Sequence, residues 1–172
     1  MTRAPRLPGG VLLMISNSDP ASARRAVLHS AASNRTARSC SWTLKCVDAI
    51  DSGAPRIEVW GTGSASREFL YVEDCARAIV LAARHYDGGE PVNLGAGREI
   101  TIRDLVGLVA RLTGFRGEIV WDPSKPDGQP RRCLDTSRAL AEFGWRARTP
   151  LRDGLRETIH WFESNVEFAM RP

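Results

Sequence analysis

Polar and apolar residues follow a regular pattern from about residue 44 onwards. Residues 56–60 (Arg-Ile-Glu-Val-Trp) alternate polar and apolar side chains, which predicts a half-buried strand. Gly61 and Gly63 end that strand, and residues 69–72 form a second short apolar run. The pattern therefore predicts strands near the start of the ordered part of the chain.

Helical spacing appears next. Glu73 and Asp74 open a predicted helix over residues 73–86, where acidic side chains favour the positive end of the helix dipole. A second helix is predicted to begin after Thr101, with Asp104 three residues on as a variant of the capping box, and to end at Gly114. Each helix carries one apolar stripe and is expected to pack against a sheet.

The last third of the chain completes the alternation. Residues 91–95 and 118–121 are predicted strands, residues 122–132 a loop and residues 137–143 a short helix. The final helix is predicted to begin with Thr149 as its cap and Pro150 in its first turn. Strands that alternate with helices predict an α/β fold.

Residues 1–43 have a different texture. Ser, Ala and Arg dominate, no apolar period is sustained, and Asp19 is the only acidic residue. Such a segment cannot easily offset its ordering entropy by burial. We predict a disordered extension or a non-native leader; an Arg- and Ser-rich transit peptide is the alternative. The ordered domain is then predicted to be residues 44–172.

Charge and cysteine usage exclude several classes of function. The net charge is +4, but beyond residue 44 both signs are mixed and no recognition motif is present, so a nucleic-acid site is not expected. No apolar run reaches the ~20 residues that would cross a membrane. The four cysteines and three histidines lack metal-ligand spacing. We expect a soluble, cytoplasmic protein without a metal.

Three segments carry a family resemblance. Val59-Trp60-Gly61-Thr62-Gly63-Ser64, continuing into Arg67-Glu68-Phe69-Leu70-Tyr71-Val72-Glu73-Asp74, resembles a motif of extended short-chain dehydrogenases that act on nucleotide sugars. Asn93-Leu94-Gly95-Ala96-Gly97 is similar to a turn of the same superfamily. Ser-Lys-Pro-Asp-Gly-Gln-Pro-Arg-Arg at residues 124–132 is similar to a string of GDP-L-fucose synthases and is the most specific of the three.

The resemblance implies a set of substrate contacts. Trp60 matches a tryptophan that lies against the nucleotide sugar, and Arg67 matches an arginine on its diphosphate. Lys125 matches a loop lysine that reaches the substrate, and Lys45 matches a basic position that lines the same site. Taken without the resemblance, Trp60 reads equally well as core, Arg67 as part of a surface ion pair and Lys125 as solvated.

The resemblance also implies chemistry that this sequence does not carry. The family reduces GDP-4-keto-6-deoxy-D-mannose with NADPH after epimerising it. NADP(H) is held there by a Gly-x-x-Gly-x-x-Gly turn, and hydride transfer needs a Tyr-x-x-x-Lys pair. Neither is present: Tyr71 is followed four residues later by Cys75, and Tyr86 by Glu90. No histidine or cysteine matches the family's epimerisation pair either, so we predict no catalytic residue.

We therefore expect the substrate-binding lobe and final elements of an extended short-chain dehydrogenase, without the amino-terminal Rossmann half. This chain alone is expected to bind a GDP-sugar or to be inactive, not to bind NADP(H), and to self-associate through exposed apolar faces. The alternatives are part of another nucleotide-sugar epimerase or dehydratase, a non-catalytic GDP-sugar-binding module, and a truncated product without function.

Overall fold

The fold is described by a computed structural model, which covers residues 12–13 and 42–165. Short strands alternate with helices along these residues, so the predicted α/β class is confirmed. The elements in chain order are β1 (Leu12–Leu13), α1 (Trp42–Ser52), β2 (Arg56–Trp60), β3 (Ser66–Glu68), β4 (Leu70–Tyr71), α2 (Val72–His85), β5 (Glu99–Thr101), α3 (Ile102–Thr113), β6 (Glu118–Asp122), β7 (Arg131–Arg132), α4 (Ser137–Phe143) and α5 (Leu151–Ser164).

Strands β2 and β6 form a parallel pair, in which Arg56 lies opposite Glu118 and Trp60 lies opposite Asp122. The alternation predicted for β2 is observed, because Ile57 and Val59 are buried while their neighbours are exposed. Helices α1, α3 and α5 contribute to the same core, whose buried members include Cys46, Leu105, Val106 and Leu155. This core fixes the carboxyl ends of β2 and β6, where the loops that matter for function begin.

A second small sheet lies along the strand order β5-β3-β7. Strand β3 pairs antiparallel with β5 and parallel with β7, and Arg67 lies opposite both Ile100 and Arg132. Strand β4 pairs instead with β1, with Leu13 opposite Leu70. A separate apolar cluster around Ala78, Ala139, Phe143 and Trp145 joins α2 to α4.

Helix boundaries agree well with the sequence patterns. Helix α3 begins after Thr101, whose hydroxyl accepts the N–H of Asp104 at 3.0 Å, and it ends at Gly114 with φ 81°. The positive φ is favourable for glycine alone among common residues. Helix α2 carries Glu73 and Asp74 in its first turn, as predicted.

Several local features differ from the sequence predictions. Residues 91–95 form no strand; the Asn93 side chain instead donates to the Asp135 carbonyl at 3.2 Å. Helix α5 has Pro150, not Thr149, at its N-cap, because the Thr149 N–H is donated to Asp74. The predicted loop over residues 122–132 ends in strand β7, and α1, β3 and β5 have no counterpart in the predicted elements.

The described residues test some of the sequence predictions only in part. The leader predicted over residues 1–43 lies outside the described residues apart from residues 12–13 and 42–43. Within the described part of the chain, no helix is long and apolar enough to cross a membrane. Ile79 and Val80 on α2 and Leu140 on α4 are about half exposed, at 50%, 48% and 53%. Self-association through such faces stays a prediction.

Candidate functional site

An exposed tryptophan and a lysine meet where β2 and β6 end. Trp60 is 55% exposed although its strand is otherwise half-buried, so its ring is not core packing. The Lys125 ammonium lies 5.8 Å from the centre of the Trp60 ring, within the range of a cation–π contact. Two of the four predicted site residues are therefore neighbours, from segments 65 positions apart in sequence.

The loop that carries Lys125 is fastened to the turn after β2 by Asp127. One carboxylate oxygen of Asp127 accepts the N–H groups of Thr62 and Gly63 at 2.6 and 3.3 Å. The other accepts the Thr62 hydroxyl at 2.6 Å and the Ser64 hydroxyl at 3.5 Å. These hydrogen bonds, with the Thr62 hydroxyl first, lower the pKa of Asp127. Asp127 is thus an ionised anchor for the loop.

Glycine at positions 61 and 63 is required by these contacts. Both residues have positive φ, 82° and 76°. A Cβ on Gly61 would overlap the Asp127 carboxylate, and one on Gly63 would lie 2.6 Å from the Trp121 ring. The turn is therefore shaped to receive the loop, and this accounts for the Gly-Thr-Gly sequence without any bound ligand.

Arg67 lies on the small sheet next to a second arginine, Arg132. The two are register partners on neighbouring parallel strands, so their side chains leave the same face of the sheet. Arg67 donates to the Ser66 carbonyl at 2.6 Å, and Arg132 donates to the Gln129 side chain at 2.9 and 3.1 Å. Among the described residues neither has a carboxylate partner, although both are partly buried.

The opposite face of the same sheet shows how an arginine is neutralised when no ligand is expected. Arg131 donates to Glu99 at 2.8 Å, and Ser66 donates to the same carboxylate at 2.7 Å. Like charges that face each other across neighbouring strands are unfavourable, and an anion between them relieves the repulsion. The Arg67–Arg132 pair places two positive charges on the face that adjoins the Lys125 loop, with the Arg67 guanidinium 3.5 Å from the Cβ position of Gly128.

Lys45 is bonded to the backbone of the strand that carries Trp60. It lies on α1, and its ammonium donates to the Glu58 carbonyl at 2.8 Å, two residues before Trp60. No hydrogen bond or ion pair joins Lys45 to Trp60, Arg67 or Lys125 among the described residues. The structure therefore brings three of the predicted site residues around the loop and leaves the fourth bonded to the backbone of β2.

Two further carboxylates hold the frame of the site. Glu68 accepts the N–H of Gly97 at 3.1 Å and the Cys133 thiol at 3.2 Å, which links the residue 93–97 turn to the end of β7. Asp74 is 1% exposed and accepts the N–H groups of Arg148 and Thr149 at 3.1 and 2.7 Å. Burial raises the Asp74 pKa, but the bonds from Thr149 and Arg148 outweigh it and leave the pKa lowered.

Comparison with known proteins shows which families this chain resembles. The model of the NAD dependent epimerase/dehydratase family matches residues 20–95. The chain is 49% identical over 124 residues to a probable GDP-L-fucose synthase from Oryza sativa, and 50% identical over 115 residues to a GDP-L-fucose synthase from Arabidopsis thaliana. Over the matched residues the chain is similar to the NAD dependent epimerase/dehydratase family and to GDP-L-fucose synthases.

The match to these family members is partial. It covers 72% of this chain but 38% of the rice protein, and 67% of this chain but 35% of the Arabidopsis protein. A GDP-L-fucose synthetase from Naegleria fowleri, solved bound to NADP, superposes with a TM-score of 0.68 at 30% identity and covers 76% of this chain and 41% of that one. This chain thus spans between 35% and 41% of the length of these three relatives.

The glycine turns of this chain do not fit the pyrophosphate of NADP(H). Such a group is held by free backbone N–H groups at a helix N-terminus. The N–H groups of Thr62 and Gly63 are already donated to Asp127, and that of Gly97 to Glu68. No helix follows the Gly61 turn directly, since β3 comes next. The described residues therefore offer no cofactor cradle at these turns.

Among the described residues there is also no cluster of His, Cys, Asp and Glu side chains that could hold a metal. Cys46 and Cys75 are free and buried, and burial raises the pKa of each thiol. Cys133 is partly buried, and burial together with the Glu68 carboxylate raises its pKa as well. These thiols are poor nucleophiles.

Two residues of the site were not singled out from sequence. Arg132 and Asp127 both lie within residues 124–132, the string that marks the family resemblance. The string alone does not say that Arg132 is the register partner of Arg67, or that Asp127 turns back towards Thr62. A search for charged residues inside the most specific motif would have found both.

Proposed function

We propose that residues 42–165 recognise a GDP-sugar at the Trp60 face, defined as Trp60, Arg67, Lys125 and Arg132. The observation that carries the proposal is an exposed Trp60 ring under the Lys125 ammonium, with two partly buried arginines against the same loop that have no carboxylate partner among the described residues. Aromatic rings provide flat apolar contact area, and paired guanidiniums match the oxygens of a diphosphate. The relatives named above make a GDP-sugar the favoured ligand.

Each residue has a distinct part in this proposal. Arg67 and Arg132 bind the diphosphate as two planar donors, which a single point charge cannot replace. Trp60 packs against the sugar or the base, and Lys125 donates from above the ring to a ligand oxygen. Lys45 contributes only if the ligand draws its ammonium away from the Glu58 carbonyl, at the cost of one charge-assisted hydrogen bond.

The proposal separates recognition from chemistry. By resemblance the full reaction is NADPH-dependent epimerisation and reduction of GDP-4-keto-6-deoxy-D-mannose to GDP-L-fucose. The 172-residue sequence carries no Gly-x-x-Gly-x-x-Gly turn and no Tyr-x-x-x-Lys pair, and the two glycine turns already engage carboxylates. We propose that these residues bind the sugar nucleotide and transfer no hydride by themselves.

A titration followed by indole NMR tests the proposal. The full chain is titrated with GDP-L-fucose, UDP-galactose and NADPH in separate experiments, and Trp60→Phe assigns the Trp60 signal. GDP-L-fucose is expected to shift the Trp60 signal while the buried Trp145, 4% exposed, reports an unchanged fold. NADPH is expected to leave both signals in place.

Other outcomes decide between the alternatives. A Trp60 shift with UDP-galactose and none with GDP-L-fucose would assign the chain to another nucleotide-sugar epimerase or dehydratase. A fixed Trp60 signal with both sugars, in a folded chain, would reject the binding proposal. Consumption of NADPH with the 4-keto sugar by the purified chain would reject the separation of recognition from chemistry.

A further inference from the structure

We propose that Asp127 is a positioning residue: its carboxylate fixes the middle of the residue 123–130 loop to the turn after β2 and thereby holds Lys125 over Trp60. The ligand-dependent part of this inference rests on the proposed function, whereas the placement of Lys125 does not. Asp127 itself turns away from the Trp60 face towards Thr62, so it acts through Lys125 and not on a ligand.

The loop is anchored at three places among the described residues. At its start, the N–H groups of Ser124 and Lys125 are donated to the side chain and carbonyl of Asp122, at 3.0 and 3.2 Å. At its end, the Pro130 carbonyl accepts the N–H of Ser66 at 2.9 Å. Asp127 provides the anchor between these ends, and it is the one that ties the loop to the segment immediately after Trp60.

The turn offers this carboxylate more donors than a loop contact needs. Two backbone N–H groups and two hydroxyl groups converge on Asp127 from residues 62–64. The Asp127 carboxylate occupies the space that a Cβ on residue 61 would need, so only glycine fits there. Hydrogen bonds to an ionised group are the stronger kind, so the loop and the Trp60 strand end are held as one unit.

Arg103 stabilises the residue 61–64 turn to which Asp127 is bonded. Arg103 on α3 donates from its side chain to the Thr62 carbonyl, and its guanidinium stacks on Trp121 at 4.6 Å. The backbone N–H of Arg103 is also donated to the Gly63 carbonyl at 2.9 Å. These contacts fix the turn to helix α3, so the groups that bond Asp127 are held in place.

A double-mutant cycle in the full chain tests the inference. The dissociation constant for GDP-L-fucose is measured for the wild type, Lys125→Ala, Asp127→Ala and the double variant. Each single change is expected to weaken binding about tenfold, which equals ~1.4 kcal/mol. The double variant is expected to bind no more weakly than Asp127→Ala, since Lys125 is already misplaced there. Additive losses would overturn the inference.

A ligand-free readout keeps this test separate from the binding proposal. Lys125→Ala is expected to shift the Trp60 indole signal of the free protein, and to have no such effect once Asp127 is Ala. If GDP-L-fucose does not bind the wild type, the proposed function fails while the indole comparison still decides the role of Asp127. An unchanged effect of Lys125→Ala in the Asp127→Ala background would overturn it.

Two further variants guard against a trivial loss of folding. Asp135→Ala removes a different carboxylate that also accepts a backbone N–H, that of Ser137 at 2.9 Å, and is expected to leave both readouts unchanged. Thr62→Val removes the shortest hydroxyl bond to Asp127 and keeps the carboxylate. It is expected to give about a threefold loss of binding and a partial indole shift. Wild-type behaviour of Thr62→Val, with Asp127→Ala unfolded, would count against the inference.

Discussion

Asp74 and Asp127 bind the backbone in similar ways but lie in different surroundings. Each accepts two consecutive backbone N–H groups, from Arg148 and Thr149 in one case and from Thr62 and Gly63 in the other. Asp74 is 1% exposed and joins the start of α2 to the start of α5, whereas Asp127 lies in a surface loop. One bonding pattern thus secures the fold in the first region and, on our proposal, places a functional side chain in the second.

The largest expected effect is the loss of the buried clamp, by which we mean the Asp74 carboxylate and its hydrogen bonds to the Arg148 and Thr149 N–H groups. Asp74→Ala leaves two partly buried N–H groups and the Arg77 guanidinium without their acceptor. We expect the free energy of unfolding to fall by about 3 kcal/mol, as measured by urea denaturation. Asp127→Ala is the matched variant and should change stability little, because its donors turn to water. Equal losses from the two variants would break the comparison.

Loss of an arginine from the Trp60 face should have the opposite signature. Arg132→Ala and Arg67→Ala are each expected to weaken GDP-L-fucose binding about 30-fold, or ~2 kcal/mol, since a charge-assisted contact to a diphosphate is lost. Thermal stability should stay near that of the wild type. Titration calorimetry and a thermal melt measure the two quantities on the same samples.

Arg131→Ala provides the control for that prediction. Its guanidinium is on the other face of the small sheet and is already paired with Glu99. An exposed pair of this kind contributes little to stability, and its loss should leave GDP-L-fucose binding unchanged. A weakening of binding as large as that of Arg132→Ala would mean that general positive charge, and not the Arg67–Arg132 pair, attracts the ligand.

Gly61 affects both stability and ligand binding. Its backbone adopts a positive φ in the fold, and its lack of a Cβ leaves room for the Asp127 carboxylate. Gly61→Ala would place a methyl group at φ 82° against the Asp127 carboxylate. We expect the unfolding free energy to fall by about 2 kcal/mol, together with weaker ligand binding.

Gly114→Ala is the control that separates backbone strain at a positive φ from the steric contact with Asp127. Gly114 has nearly the same φ, 81°, but nothing lies within 4 Å of its Cβ position. It should lower the unfolding free energy by about 1 kcal/mol and leave binding unaltered. If both glycine variants bind alike, the contact between Gly61 and Asp127 has no part in positioning the loop.

Features that depend on local signals could be predicted from the sequence, whereas those that depend on contacts between distant segments could not. Helix α3 was predictable because its cap, its apolar stripe and Gly114 are local signals. The strand predicted over residues 91–95 was wrong, since a strand needs a neighbouring strand and Asn93 bonds to Asp135 instead. Thr149 resembles a cap by type, but the distant Asp74 takes its N–H.

The candidate site shows the same limit. Trp60, Arg67 and Lys125 were named from a family resemblance, and the structure places them around one loop. The pairing of Arg67 with Arg132 depends on the parallel register of β3 and β7, two strands of three and two residues with no periodicity to detect. The contact between Asp127 and Thr62 likewise joins positions 65 apart in sequence, with several strands and helices between them, and no local pattern predicts it.

Acid should remove the contribution of the buried clamp over a defined range. The Asp74 pKa is lowered below its ordinary value of 3.8, since hydrogen bonds outweigh the effect of burial. A group with a lowered folded-state pKa stabilises the fold fully above the unfolded-state value, and that contribution is lost as the pH falls through the folded-state pKa. The difference in unfolding free energy between the wild type and Asp74→Asn should therefore be constant from about pH 7 to about pH 5 and shrink below about pH 4. A difference that instead shrinks towards neutral pH would show that another group is responsible. Asp127→Asn should show a smaller difference over the same pH range, because the Asp127 pKa is also lowered but its carboxylate lies in a surface loop.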